Sequence, residues 1–274
     1  MPLRLNYHAK TPTPVEIEGL TPDWACDKSL TEIERFEIFH GNRKTPLAEM
    51  FRISGEPGER HFIFEGDLSG VHWIGAGMQR GRIDVQGPAG RHVGSEMTGG
   101  EIRVAGDAGG WVGAEMHGGF IHVRGNAGHL VGAAYRGSPK GMTGGTILVD
   151  GDAGNEIGLS MRRGVIAIGG KAGDMIGFNM IAGTVLVLGE CGIRPGAGMR
   201  RGTIALLGAA PPLLPSFRYA CTTRLQVLPL LLRQLRQQGF RVDDATLAAE
   251  VDLHVGDLVA LGKGEILLRA RAAA

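Results

Sequence analysis

Aromatic side chains are scarce in this chain, at 5% of 274 residues. That scarcity, with no acids stacked on one face, argues against a free-standing carbohydrate-active enzyme. Cysteine is nearly absent: Cys26, Cys191 and Cys221 are too far apart for a disulfide framework or a metal cluster, and a reduced, cytoplasmic compartment is the expectation. Charge of one sign is missing as well. The 29 Lys and Arg against 28 Asp and Glu leave a formal net charge of +1, which argues against nucleic acid as a partner. The longest apolar run, Val227 to Leu232, is far too short for a bilayer, and Met1 to Asn6 lack the apolar core of a signal peptide, so no membrane association is expected. There is no phosphate-binding Gly-Lys-Ser/Thr loop, no iron–sulfur cysteine run, no recurring acid pair and no serine nucleophile elbow. No catalytic residue is assigned, and no metal or cofactor is expected on this chain.

Glycine, by contrast, is abundant at 46 residues, and it is periodic. A Gly-x-x-Gly-x-x-x-Gly line opens at 87, 106, 125, 151, 170 and 189, and Gly208 stands where the next would begin. The step is 19 residues, except for 26 between 125 and 151. Methionine keeps the same beat at Met78, Met97, Met116, Met142, Met161, Met180 and Met199. Each copy ends in an alternating run such as Ile102-Arg103-Val104 or Val185-Leu186-Val187, a period of two and therefore a short strand. A helix is excluded, because no window of 11 residues escapes a glycine. A 19-residue unit has no room for strand, helix and strand, so successive strands must coil and pair in parallel. The expected fold is all-β: a right-handed parallel β-helix of about seven coils, roughly 34 Å long.

The columns carry meaning. Ala89, Ala108, Ala127, Ala153, Ala172 and Cys191 stack at a tight corner, Val93 to Pro195 stack before the third glycine, and methionine fills the irregular core. Glycine is expected to supply the positive-φ positions. Residues 1–62 form an N-terminal cap, 63–208 the repeats with a degenerate first coil, and 209–274 a C-terminal helix and strands packing on them. In the cap, Leu3 to His8 and Val15 to Ile17 read as strands. Ser29 or Thr31 caps a short helix, and Glu37-Ile38-Phe39 alternates like a strand. The seven extra residues around Ala134 to Lys140, with Tyr135 among them, form a loop on one face. Leu225 to Gln238 reads as an amphipathic helix closed by Gly239, and strands follow within Asp252 to Arg269.

The outward strand position changes from Asp84, Arg103 and His122 to Leu148, Ala167, Leu186 and Ala205, and the next position ends in Leu188 and Leu207. That face needs a cover. One candidate is the helix 225–238. The other is a partner subunit, which makes Leu148, Leu186, Leu188, Leu207 and Tyr135 the interface candidates. His117, His122 and His129 lack neighbouring ligands at metal spacing and are expected as exposed column residues. Gly75 to Gly81 and Gly196 to Gly202 imitate a dinucleotide loop, but the strand follows instead of preceding, so no nucleotide site is assigned. Arg80, Arg162, Arg163, Arg200 and Arg201 occupy the two positions after the methionine column. Such a basic edge suits an anionic ligand or an acidic partner.

The repeat resembles the C-terminal β-helix domain of glutamate synthase. It is more closely similar to the C subunit of formylmethanofuran dehydrogenase, including the lead segment Gly41-Asn42 … Leu47-Ala48-Glu49-Met50-Phe51 and the tail Gly256-Asp257 … Gly262-Lys263-Gly264-Glu265. The resemblance implies a non-catalytic scaffold subunit in a complex of one-carbon metabolism. In the bacterial formyltransferase/hydrolase form, favoured by the Arg- and Ala-rich composition, a formyl group passes from formyl-tetrahydromethanopterin to a methanofuran-type carrier and leaves as formate, in formaldehyde oxidation by methylotrophs. The implied partners are an amidohydrolase-like subunit, a formyltransferase and a further subunit, with metal held by those partners. The alternatives are the C subunit of a molybdenum or tungsten formylmethanofuran dehydrogenase reducing carbon dioxide, or a glutamate-synthase-like β-helix subunit. The basic edge is then expected to hold the glutamate-rich tail of the carrier.

Overall fold

The computed structural model describes residues 1–270. Alternation of inward and outward side chains sets the strands. In chain order these are β1 (Leu3–Tyr7), β2 (Val15–Glu16), β3 (Glu37–His40), β4 (Arg43–Pro46), β5 (Phe51–Ser54), β6 (His61–Glu65), β7 (Val71–His72), β8 (Arg82–Val85), β9 (Glu101–Val104) and β10 (Phe120–Val123). Then come β11 (Thr146–Val149), β12 (Val165–Ile168), β13 (Thr184–Val187), β14 (Arg201–Leu206), β15 (Arg218–Thr223), β16 (Val251–Gly256) and β17 (Lys263–Arg269). The helices are α1 (Pro22–Ala25), α2 (Leu30–Glu34), α3 (Val227–Gln237) and α4 (Asp244–Leu247). The fold is mostly β.

Thirteen strands form one sheet in the order β15-β16-β17-β14-β13-β12-β11-β10-β9-β8-β6-β1-β5. From β8 to β14 each strand pairs in parallel with the next copy of itself. Ile102 lies opposite Ile121, Ile147 opposite Ile166, and Val185 opposite Ile204. The alanine column forms a second parallel ladder, from Leu68 opposite Ala89 to Ala172 opposite Cys191. Between the two ladders lies a continuous core in which the seven column methionines, Met78 to Met199 at the repeat spacing, are fully buried beside Val93, Val112, Val131, Ile157 and Ile176.

The glycines divide by physical role. In the first column the neighbouring repeat is too close for a side chain: a Cβ on Gly189 would stand 2.3 Å from the Gly170 carbonyl oxygen. In the third column, as at Gly113 (φ 60°), the left-handed conformation favours glycine and a Cβ would stand 2.4 Å from Ile147 Cδ1. The expectation that glycine alone supplies positive φ is corrected, because Trp73, His92, Trp111, Leu130, Glu156, Met175 and Arg194 are all left-handed too. All but Arg194 turn the N–H forward onto the next repeat, Trp73 to the Arg91 oxygen (2.9 Å) and Trp111 to that of His129 (2.8 Å). These bonds offset a conformational cost of about 1–2 kcal/mol per residue.

The N-terminal residues extend the sheet. β1 pairs in parallel with β6, and β5 runs antiparallel on β1. Ser29 caps α2 with a reciprocal pair: its hydroxyl accepts from the Glu32 N–H, and the Glu32 carboxylate accepts from the Ser29 N–H at 2.8 Å. At the other end β17 joins β14 in parallel, with β16 and β15 antiparallel beyond it.

Helix α3 lies across the outer face of the sheet. Its Leu228, Leu232 and Leu235 fall on one stripe and are buried with Leu148, Ala167, Leu186, Ala205 and Leu207 in a second core. Each fully buried leucine contributes about 2 kcal/mol. Gly239 (φ 93°) ends the helix, with its N–H bonded to the Arg236 oxygen and that of Phe240 to the Leu235 oxygen, a complete Schellman closure. The subunit-interface assignment of Leu148, Leu186, Leu188 and Leu207 is therefore corrected: the chain's own helix covers them, Leu188 packing at the edge of the cluster.

Candidate functional site

The corner after each methionine is fixed by main-chain bonds to the preceding repeat. The N–H of Arg162 donates to the Met142 oxygen (2.8 Å) and that of Arg200 to the Met180 oxygen (2.8 Å). The repeat between them puts Ile181 and Ala182 at the same corner. Four guanidiniums thus flank a short apolar floor. Arg162, Arg163, Arg200 and Arg201 line one cavity of about 490 Å³ with Ile181 and Leu261. A second cavity of about 900 Å³ shares Ile181, Arg200 and Leu261 and continues past Ser160, Asn179 and Val259.

Asp257 is the carboxylate lining this groove, and its oxygens are already engaged. It accepts from the N–H groups of Gly198 and Val259, each at 3.0 Å. Burial pushes its carboxyl up, but the bonds from Ser216, Gly198 and Val259 outweigh that and hold it below the usual range. It anchors the loop at 258–261 and leaves the four arginines without compensation. Among the described residues none of those four stands within ion-pair distance of an acid, whereas Arg82, Arg124 and Arg236 all do.

Arg80 does not join the groove. Its column reaches Arg163 only four repeats later, about 19 Å along the stack. Tyr135 lies elsewhere, folded from the inserted loop onto a ladder of rings. Trp73 stacks on His92 (centroids 4.1 Å apart, planes 5° apart), His92 on Trp111 (5.9 Å), and Trp111 on Tyr135 (5.0 Å). The Tyr135 hydroxyl is 3.0 Å from His92 Nδ1. Burial, then Arg91 and His72, push His92 down to about 4, so the ring is neutral. Sequence reasoning missed this ladder, although 73, 92 and 111 repeat at the 19-residue step.

The histidines divide as well. His117 and His129 are exposed as expected, but His122 is fully buried. Its Nε2 is 3.0 Å from Asp150 Oδ1, and Arg124 bridges Asp150 to the Gly239 carbonyl at the end of α3. The expectation of an exposed His122 fails because the cover comes from a helix more than a hundred residues away. Among the described residues no three His, Cys, Asp or Glu side chains gather where a metal could sit, and no helix is long and apolar enough to cross a membrane.

No protein-family model matches the chain. The C subunit of molybdenum-containing formylmethanofuran dehydrogenase 1 from Methanothermobacter thermautotrophicus is 44% identical over 78 residues, 28% of this chain and 20% of that protein. The C subunit of the tungsten-containing enzyme 2 from Methanothermobacter wolfeii is 40% identical over 84 residues, 29% of this chain and 31% of that protein. The match thus spans between a fifth and a third of these curated relatives. A chain in the crystal structure of the formyltransferase/hydrolase complex FhcABCD from Methylorubrum extorquens, in complex with methylofuran, aligns along its whole length. It is 32% identical with a TM-score of 0.89, covering 98% of this chain and 100% of that one. With that full-length correspondence and the matches to C subunits, the chain belongs to the C-subunit family of formylmethanofuran dehydrogenase.

Proposed function

We propose that this chain is the non-catalytic scaffold subunit of a formyltransferase/hydrolase complex. The observation that carries the reading is the full-length correspondence to a chain of FhcABCD, a complex of that type. In it, the stacked repeats act as a right-handed parallel β-helix whose rigidity spaces the partner subunits. Those partners, an amidohydrolase-like subunit, a formyltransferase and a further subunit, carry the metal and the chemistry, moving a formyl group from tetrahydromethanopterin to a methanofuran-type carrier and on to formate.

The groove of Arg162, Arg163, Arg200 and Arg201 then holds the anionic tail of the carrier. Four uncompensated guanidiniums fit a chain of carboxylates, and the apolar floor at Ile181 and Leu261 fits the methylene segments between them. Reversal of all four arginines to glutamate in the assembled complex is expected to weaken a glutamate-tailed carrier at least about tenfold, with assembly intact. Unchanged carrier affinity and turnover would remove the groove from the reading.

Mild affinity purification with mass spectrometry tests the complex itself. Amidohydrolase-like and formyltransferase partners support the proposal, and a chain that comes down alone defeats it. The curated relatives favour one alternative, a molybdenum or tungsten formylmethanofuran dehydrogenase. Iron–sulfur partners with bound molybdenum or tungsten would establish that instead.

A further inference from the structure

The ring ladder lies apart from the basic groove, and the cavity at its Trp73 end is lined by acids, while Arg136 lies beside Trp111 and Tyr135 at the other end. Two of the three tryptophans and one of the three tyrosines of the chain meet there, in a protein otherwise poor in aromatics. All three are half-buried, and Trp73, stacked on His92 on one side, also lines a surface cavity. At the Trp73 end is a cavity of about 310 Å³ whose lining includes Trp73, Ser95, Glu18, Asp23 and Glu96, with neither lysine nor arginine among it. Asp23 accepts from the Gln79 N–H (3.3 Å). Glu18 and Glu96 stand exposed at the rim, and among the described residues neither has an ion-pair partner.

A further acid lies along the ladder. Glu115 accepts from the Tyr135 N–H at 2.8 Å. Burial, with Glu96, Glu115 and Glu18 nearby, pushes the Tyr135 hydroxyl up to about 12. Tyr135 therefore stays protonated, His92 stays neutral, and neither ring system repels a cation. Arg91 acts on His92 but does not line the cavity.

We propose that the Trp73 cavity receives the guanidinium of an arginine presented by a partner protein chain. A guanidinium is planar and can lie flat on the indole face while its forked donors reach Glu18 and Glu96. The cavity is at the small end for a ligand site, and its carboxylates are on an open rim, which suits one long side chain delivered from outside over an enclosed metabolite. The ladder behind Trp73 gives that face a rigid backing, since the rings are held by three successive repeats and by the inserted loop. The assignment does not depend on which complex the chain joins.

The test uses the whole chain in a Trp24→Phe background, so that Trp73 and Trp111 are the remaining indoles. N-acetyl-arginine amide is titrated against tryptophan fluorescence, with N-acetyl-citrulline amide as the neutral isostere. The expectation is a saturable change with the arginine compound and none with citrulline. Half-saturation should move at least about fivefold upward in the Glu18→Gln/Glu96→Gln double variant. Trp73→Leu, with circular dichroism unchanged, should abolish the saturable response to arginine. Equal response to both compounds, no saturation with arginine, or an unchanged double variant would each overturn the assignment.

Discussion

Replacement of Gly170 by alanine tests whether the first glycine column exists because neighbouring repeats touch. Gly170 is outside the left-handed region, so alanine can adopt its backbone conformation. The obstacle is space: the new Cβ would stand 2.2 Å from Asp152 Oδ1 and 2.8 Å from the Gly151 carbonyl carbon and oxygen. Main chain of the preceding repeat cannot yield, and overpacking of this kind costs about 2 kcal/mol. Asp152 must also turn away, which breaks its bond from the Lys171 N–H (2.6 Å), a charge-assisted bond contributing about 1.5 kcal/mol. Together these give about 3.5 kcal/mol, or roughly 7 °C in the unfolding midpoint for a chain of this size. Gly70 supplies the control. It is also outside the left-handed region, and a Cβ there meets nothing within 4 Å. Gly70→Ala should be neutral or stabilise by about 0.4–1 kcal/mol through the unfolded chain. Thermal unfolding followed by circular dichroism compares the two. If Gly170→Ala melts within a degree of the wild type, or Gly70→Ala falls as far, contact between repeats is not what requires glycine.

Leu232→Ala removes a fully buried side chain from the seam between α3 and the sheet and should cost about 3 kcal/mol, with faster amide exchange over 227–237 than over β12. Asp174→Ala leaves the Ile193 N–H without its 2.9 Å acceptor and should cost about 1–2 kcal/mol, whereas Asp174→Asn should cost little, since Asn155 already does the same for Asp174 one repeat earlier. Burial lowers His72, His92 and His122, the second to about 4. The unfolded chain then binds more protons than the folded one just below pH 6.5, so stability is fully present above that value and declines as pH falls toward about 4. Denaturant titrations at pH 7.5 and 5 should show this decline, and His92→Asn should reduce it.

The parts of the fold that depend on a column were legible in the sequence. Ile102 and Val104 specify inward positions, the methionines a core, and Ser29 with Glu32 a helix start, because each signal lies within a few residues or recurs every 19. The leucine stripe of α3 was readable for the same reason. What covers Leu148 and Leu186 was legible only as two candidates, the helix 225–238 first and a partner subunit second, because a distant helix and a partner compete for the same face; the packing of α3 selects the helix. The left-handed Trp73 and Trp111 were hidden because local propensity favours glycine there, and only bonds to the next repeat reverse that preference. β15 gave no signal since Arg218 to Cys221 are exposed and do not alternate. The arginine groove was half legible. Spacing brought Arg162, Arg163, Arg200 and Arg201 together, but the same rule had included Arg80, and nothing local announced the loop at Asp257 that completes the wall.

The inserted loop has a consequence for how the chain can change length. In ordinary repeats the methionine N–H closes onto the third glycine, Met116 to Gly113 (3.1 Å) and Met161 to Gly158 (3.0 Å). Met142 makes the same bond to Gly132 (2.9 Å) across the insertion, and β11 resumes in register with β10. The neck between Gly132 and Met142 therefore works as a splice point: whatever leaves through it, the next strand starts from the same place. A foreign segment grafted there would leave the strand register alone and disturb only what the loop itself touches, the ring ladder at Tyr135.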